Sequence, residues 1–205
     1  MLPRRPLGLP WPVAIGFALF ALVIVAIVAS ALTPRDVPVF VPTRSRARTV
    51  PAGVTDTVTI DARDVAQWRF FDFATGRVMT PPDTQGWDIA VRRFRIITAG
   101  EVADLGGVPF DSVTVAPVEG YRSTEWGPDT VNAALERWYR YGFFSHTLRS
   151  RRHVYVLPMS QGGWARFELL AYYCPGPEPA CVTLRYAVLP SGSEGSDRRG
   201  EQVRP

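Results

Sequence analysis

Lysine is absent from this 205-residue chain, and all 23 of its basic residues are arginine. We read this as a compositional habit and not as a design for phosphate, because 19 acidic residues leave a net charge of only +4. Nucleic-acid binding asks for a clustered basic face with aromatic partners, and here Arg alternates with Asp and Glu. Cysteine and histidine are scarce, at two each. Two thiols with no second Cys or His pair at ligand spacing do not make a metal site. There is no Cys-x-x-Cys-His for covalent haem, no Gly-rich phosphate loop after a strand and no His-Glu-x-x-His. Ser145 stands beside His146, but a nucleophile and its base usually meet through the fold, so adjacency says little. The carboxylates Asp61, Asp64, Asp72, Asp83, Asp88, Asp104 and Asp111 are scattered. Asp88, next to Trp87 in a buried-looking strand, reads as a turn cap or an Arg partner. These absences predict a protein that is not an enzyme and binds neither metal nor nucleic acid.

One stretch lacks charge and proline altogether. Residues 13–32 form an apolar run of 20, about 30 Å long as a helix and so matched to the hydrocarbon core of a bilayer. Trp11 and Pro12 precede it at interface depth, behind Arg4 and Arg5. We read residues 1–12 as cytoplasmic, 13–32 as a single transmembrane helix in a bacterial inner membrane, and the remainder as periplasmic. Arg35, Arg44, Arg46 and Arg48 follow the helix and oppose that orientation, but they are diluted by Asp36 and spread over a long linker. The alternative is a cleaved secretory signal ending near Ala29-Ser30-Ala31, although the run exceeds a typical signal core and no cysteine follows it for lipid attachment. Ala14, Ala18, Ala21 and Ala29 lie close to one helix face and are candidates for helix packing.

Residues 33–53 hold Pro34, Pro38, Pro42 and Pro51 with little periodicity. They predict an extended strap that carries the following domain away from the bilayer or lies across a neighbouring subunit. From residue 54 the pattern is that of strands. The run Trp68 to Phe73 and Arg77-Val78-Met79 flank a Thr75-Gly76 turn. Residues 87–98 give the strongest strand, with Trp87, Ile89, Val91 and Phe94 inward and a bulge at Arg92-Arg93. Pro128-Asp129-Thr130 opens a short helix with Val131, Leu135 and Trp138 as its apolar stripe before Gly142. Further strands follow at 153–157, 164–173 and 181–189, and residues 190–205 are a polar tail. The expected fold class is mainly β: an antiparallel, sandwich-like extracytoplasmic domain over 54–189 with one short helix. Cys174 and Cys181 bracket a Pro- and Gly-rich loop, which predicts a disulfide closing a hairpin. Trp68, Phe70, Trp87, Trp164 and Tyr186 are expected in the core. A second aromatic cluster around Tyr139 supplies interface candidates, namely Trp126, Trp138, Tyr141, Phe143 and Phe144.

Several fragments occur in a telling order: Trp68-Arg69-Phe70-Phe71 with Gly76, Trp87-Asp88-Ile89-Ala90 with Arg93, and Ile97-Thr98-Ala99-Gly100. They continue with His153-Val154-Tyr155-Val156, Trp164-Ala165-Arg166-Phe167-Glu168 and Leu184-Arg185-Tyr186. In this order they resemble the HmuY-like family of extracytoplasmic haem-binding proteins. The resemblance implies an all-β domain with a minor helix. It also implies haem held by paired axial side chains from loops, often histidines, for which this chain offers His146 and His153. Seven residues of strand would separate those two by roughly 23 Å, unless a turn at Ser150-Arg151 folds them together. Met79 and Met159 are possible substitutes.

Two functions are weighed. The first is a structural accessory subunit of a multi-subunit membrane complex, photosynthetic or respiratory, without a cofactor of its own. Its partners would be other subunits and the lipid bilayer. The alternative is a membrane-anchored protein that binds haem or a related tetrapyrrole.

Overall fold

Helix α1 (Trp11–Leu32) begins where Pro10 offers its carbonyl to the N–H groups of Val13 and Ala14, at 2.8 and 3.1 Å. Its 22 residues make it long and apolar enough to cross a membrane. Ala14, Ala18, Ala21 and Ala29 are all exposed along it. The computed structural model describes residues 10–32, 36–44, 49–81 and 84–190. Most of the expected cytoplasmic segment (residues 1–9) and the tail 191–205 lie outside the described residues. The chain divides into two units, Met1–Asp36 with Gly142–Thr147, and Val37–Tyr141 with Leu148–Pro205.

The strands are antiparallel and lie in the second unit, save the end residues Gly142 and Thr147 of one hairpin. β1 (Thr55–Asp61), β2 (Arg69–Asp72), β3 (Arg77–Met79), β4 (Ile89–Arg92), β5 (Arg95–Thr98) and β6 (Glu101–Asp104) come first. A 3-10 turn, Phe110–Ser112, precedes β7 (Tyr121–Glu125), β8 (Val131–Asn132) and β9 (Tyr139–Gly142). The series ends with β10 (Thr147–Ser150), β11 (Val154–Pro158), β12 (Trp164–Cys174) and β13 (Glu178–Val188). They form a seven-stranded sheet in the order β1-β13-β12-β11-β6-β7-β8, a four-stranded sheet β3-β2-β4-β5, and the pair β9-β10.

The two larger sheets meet through aromatic rings. Phe71 lies edge-on to Tyr186 at 5.3 Å and Phe73 sits 5.4 Å from Phe167, which stacks on Tyr155 of its own sheet at 5.2 Å. Such contacts join the buried area of large side chains to a favourable ring geometry. Tyr186 is in the core as expected, but Trp68, Phe70, Trp87 and Trp164 are only half-buried. Phe71 and Phe73 take the inward places instead. A one-residue change of parity exchanges the faces of a strand, and the aromatic run Trp68 to Phe73 does not by itself say which parity faces in.

Three further expectations are corrected. Residues 87–98 are a tight hairpin and not one bulged strand: Arg92 pairs with Arg95, Arg93 turns with φ 56°, and its N–H donates to the Ala62 carbonyl at 3.1 Å. Phe94 sits in the turn, 41 % exposed. Among the described residues, no α-helix follows Pro128. Instead the Asn132 carbonyl accepts from the N–H groups of Leu135 and Glu136, both at 2.9 Å, while its side-chain oxygen takes the Ala134 N–H. That capture closes a single turn, as Asn does when its side chain competes for the backbone. The chain then enters β9, whose Tyr-rich sequence suits a strand.

The strap is not a free spacer over the residues described. Phe40 N–H donates to Tyr173 O at 3.0 Å, Thr43 N–H to Thr59 O at 2.9 Å, and Val50 N–H to Ala74 O at 3.0 Å. Val37 and Val50 join the core. Proline keeps the chain extended, and an extended chain presents N–H groups that carbonyls of the domain accept.

The disulfide Cys174–Cys181 is formed and buried at the β12–β13 end. Replacing both cysteines by serine is expected to lower stability by about 2–3 kcal/mol, from the lost restriction on the unfolded chain. Urea denaturation of the two proteins without reductant measures it, and equal midpoints would contradict it.

Candidate functional site

An open cleft of about 610 Å³ lies beside β5, β8 and β9. Its inner wall includes the buried Ile96 and Leu135, with the rings of Phe94 and Tyr139 meeting edge-on at 5.9 Å. Four arginines line it, Arg95, Arg137, Arg140 and Arg151, against one acid, Glu136. The phenol-bearing Tyr139 and Tyr141 complete the aromatic side.

Local structure explains this composition. Asn132, buried beneath the cleft, donates through Nδ2 to Thr98 Oγ1 at 3.2 Å and to Arg122 O at 3.1 Å, fixing the turn that presents Leu135 and Glu136. Trp138 is 1 % exposed, and its indole N–H donates to Phe94 O at 2.8 Å. That bond ties β9 to the β4–β5 turn. Trp138, expected at an interface, is therefore a core residue. Arg151 Nε donates to Tyr139 O at 3.2 Å, and Arg95 lies 3.7 Å from the exposed Asp129 carboxylate. The result is an open cleft whose aromatic and aliphatic side chains share the lining with four guanidinium groups. Chemically it suits a ligand that joins apolar surface to carboxylates, since arginine forms paired hydrogen bonds to carboxylate.

The other expected site residues fall elsewhere. His153 holds its Nδ1 at 3.0 Å from both oxygens of Asp104. His146 belongs to the other unit, in the hairpin tip with a φ of 51°. Met79 and Met159 are buried, Met159 within the main core cluster. Trp126, Tyr141, Phe143 and Phe144 are exposed. Trp126 rests on Trp87 at 6.5 Å. The cleft arginines were not foreseen. Their signal was Arg137-Trp138-Tyr139-Arg140-Tyr141, whose aromatic density suits a strand and not the helix assigned to it.

A separate set of acids serves the fold. Asp88 Oδ2 accepts the Phe73 N–H at 2.8 Å and Oδ1 the Ser160 N–H at 2.6 Å, so it caps turns as its sequence context suggested. Burial pushes its carboxyl above the ordinary range, against those hydrogen bonds. Asp72, also buried, accepts from Thr75 Oγ1 and Gln161 Nε2, both at 2.7 Å. Glu168 binds Arg152 and Arg185 on the far face of the large sheet. Among the described residues, no group of three or more His, Cys, Asp or Glu is placed to hold a metal ion.

No known protein-family model matches the chain, and no curated protein does. Solved structures do. A structure described as that of an HmuY-like haem-binding protein, from Bacteroides vulgatus ATCC 8482, matches 65 % of this chain and 91 % of its own, at 24 % identity and a TM-score of 0.56. The apo form of an HmuY analogue from Tannerella forsythia matches 67 % and 96 % at 19 % identity and 0.59. Apo PinO from Porphyromonas gingivitis matches 67 % and 98 % at 13 % identity and 0.55. These likenesses correct the expectation of a chain without a cofactor, because the architecture it shares is that of a protein named for binding haem. They lend nothing to a photosynthetic or respiratory host. About two thirds of this chain has the HmuY-like fold.

Proposed function

We propose that this chain is a membrane-anchored, extracytoplasmic protein that binds haem or a related tetrapyrrole, and is not an enzyme. The observation that carries the reading is the arginine-edged cleft on an HmuY-like fold. Its volume lies in the range of small-molecule and cofactor sites. Haem is flat and apolar, with two carboxylate arms and an iron that accepts a phenolate oxygen as an axial ligand. Arg140 and Arg151 would hold carboxylates, the Phe94–Tyr139 wall would face the macrocycle, and Tyr139 or Tyr141 would offer the oxygen ligand. The helix α1 supports the anchor, and the disulfide supports an oxidising compartment.

The test is a haemin titration of the full-length protein in detergent, followed at the Soret band. One equivalent is expected to bind saturably. Arg140→Glu with Arg151→Glu is expected to weaken binding by tenfold or more, since about 1.4 kcal/mol of lost carboxylate contact already gives that factor. Tyr139→Phe or Tyr141→Phe should shift the band. A shift seen only in His146→Ala or His153→Ala would keep haem and move its ligands to the histidines. No saturable Soret change, with co-purification of other subunits, would restore the accessory-subunit reading.

A further inference from the structure

We propose that the hairpin tip Gly142–Thr147 is a second membrane contact, in which Phe143 and Phe144 enter the headgroup boundary of the bilayer that α1 crosses. The inference rests on the anchor half of the proposed function and not on haem binding. Phe143 and Phe144 are 74 % and 82 % exposed, yet their rings meet edge-to-face at 5.4 Å, so they stand as one apolar wedge. The tip that presents them is shaped for the purpose. His146 reverses the chain at positive φ, and the hydroxyls of Ser145 and Thr147 are hydrogen-bonded at 2.7 Å. Gly142 leaves room for this arrangement, because a Cβ there would collide with Ser145 Oγ.

Two observations select lipid as the occupant. The tip falls in the unit of the chain that contains α1, the helix long and apolar enough to span a bilayer. Arg149, exposed, stands in the strand leading out of it, where a guanidinium group suits anionic headgroups. Aromatic rings with basic neighbours are the composition of interfacial membrane contacts. A protein partner fits less well, since a stable protein interface buries about 800 Å² on each side, far more than two side chains offer.

The experiment places the full-length chain, one copy per nanodisc, in phosphatidylcholine with phosphatidylglycerol at about 3:1. A nitroxide is attached at Ser145→Cys, and in a second sample at Val118→Cys, an exposed position far along the chain from the tip. Collision with oxygen and with a water-soluble nickel chelate is then compared. The label at residue 145 is expected to favour oxygen several-fold over the chelate, and the label at 118 the chelate. Adding Phe143→Ser and Phe144→Ser should make position 145 resemble 118. A label at 145 that is as open to nickel as 118 would overturn the proposal, and so would one shielded from both reagents, which would mean a protein contact. Intact mass on the same sample separates the two readings. Loss of the N-terminal segment would overturn the anchor itself, whereas its retention with a water-exposed tip overturns only the second contact.

Discussion

The double variant Arg152→Ala with Arg185→Ala is expected to lose about 3–5 kcal/mol of stability, the usual consequence of stripping the partners from a buried charge. Glu168 has a side chain only 3 % exposed, and each of its oxygens meets one of these arginines. Without them a carboxylate stays buried on β12 with no cation to offset its lost hydration. Arg185 has a second attachment, because its guanidinium lies 4.4 Å from the Phe110 ring, which Arg166 covers from 4.6 Å. Removing Arg185 therefore also loosens the 3-10 turn over that sheet. Replacing the glutamate as well, in Glu168→Leu with Arg152→Ala and Arg185→Ala, should recover much of the loss, since the carboxylate on β12 is then no longer buried without partners. Urea unfolding followed by tryptophan fluorescence reads both effects. A loss below about 1 kcal/mol in the double variant would place the cluster among exposed pairs, whose worth is small.

Asp88→Ala is expected to cost about 2–4 kcal/mol at neutral pH, because it orphans two backbone donors, Phe73 N–H and Ser160 N–H. Those donors belong to the turns after β2 and after β11, so the carboxylate joins the two sheets at one point. The pH dependence has a definite sign. Burial raises the folded-state pKa of Asp88 above its ordinary value. As pH falls, the native state takes up this proton before the unfolded chain does, so between the raised and the ordinary value acidification favours the native state. The alanine variant lacks that contribution. Its deficit relative to the parent should therefore grow as pH falls through that window and be smallest at neutrality. Paired denaturation curves at pH 7 and near pH 4 test this, and a deficit that shrinks on acidification would contradict it.

The cleft was less legible than the fold for an identifiable reason. Arg95 comes from β5, Arg137 and Arg140 from in and around β9, and Arg151 from the segment after β10. No spacing in the sequence unites them, and arginine is so common here that each looks like a solvated face. The histidines drew attention because they are rare, yet His153 is engaged with Asp104. Trp138 shows the same difficulty from the other side. As an aromatic among aromatics it looked like a surface candidate, and only its hydrogen bond to Phe94 O and its burial reveal a core residue.

What the sequence determined by itself rests on short-range physics. A charge-free run of 20 residues is long enough for a bilayer-spanning helix, alternating β-branched and aromatic residues favour a pleated face, and two cysteines around a Pro-Gly loop lie within bridging reach. Tertiary structure decided the rest. It chose Phe71 over Phe70 for the interior, because parity is settled by the opposing sheet. It turned the expected helix into β8, a turn and β9, because Asn132 finds Thr98 and Arg122 across the fold. It bound the strap to the domain through carbonyls that no local pattern announces. Each of these outcomes depends on a partner tens of residues away, and such partners exist only once the chain has folded.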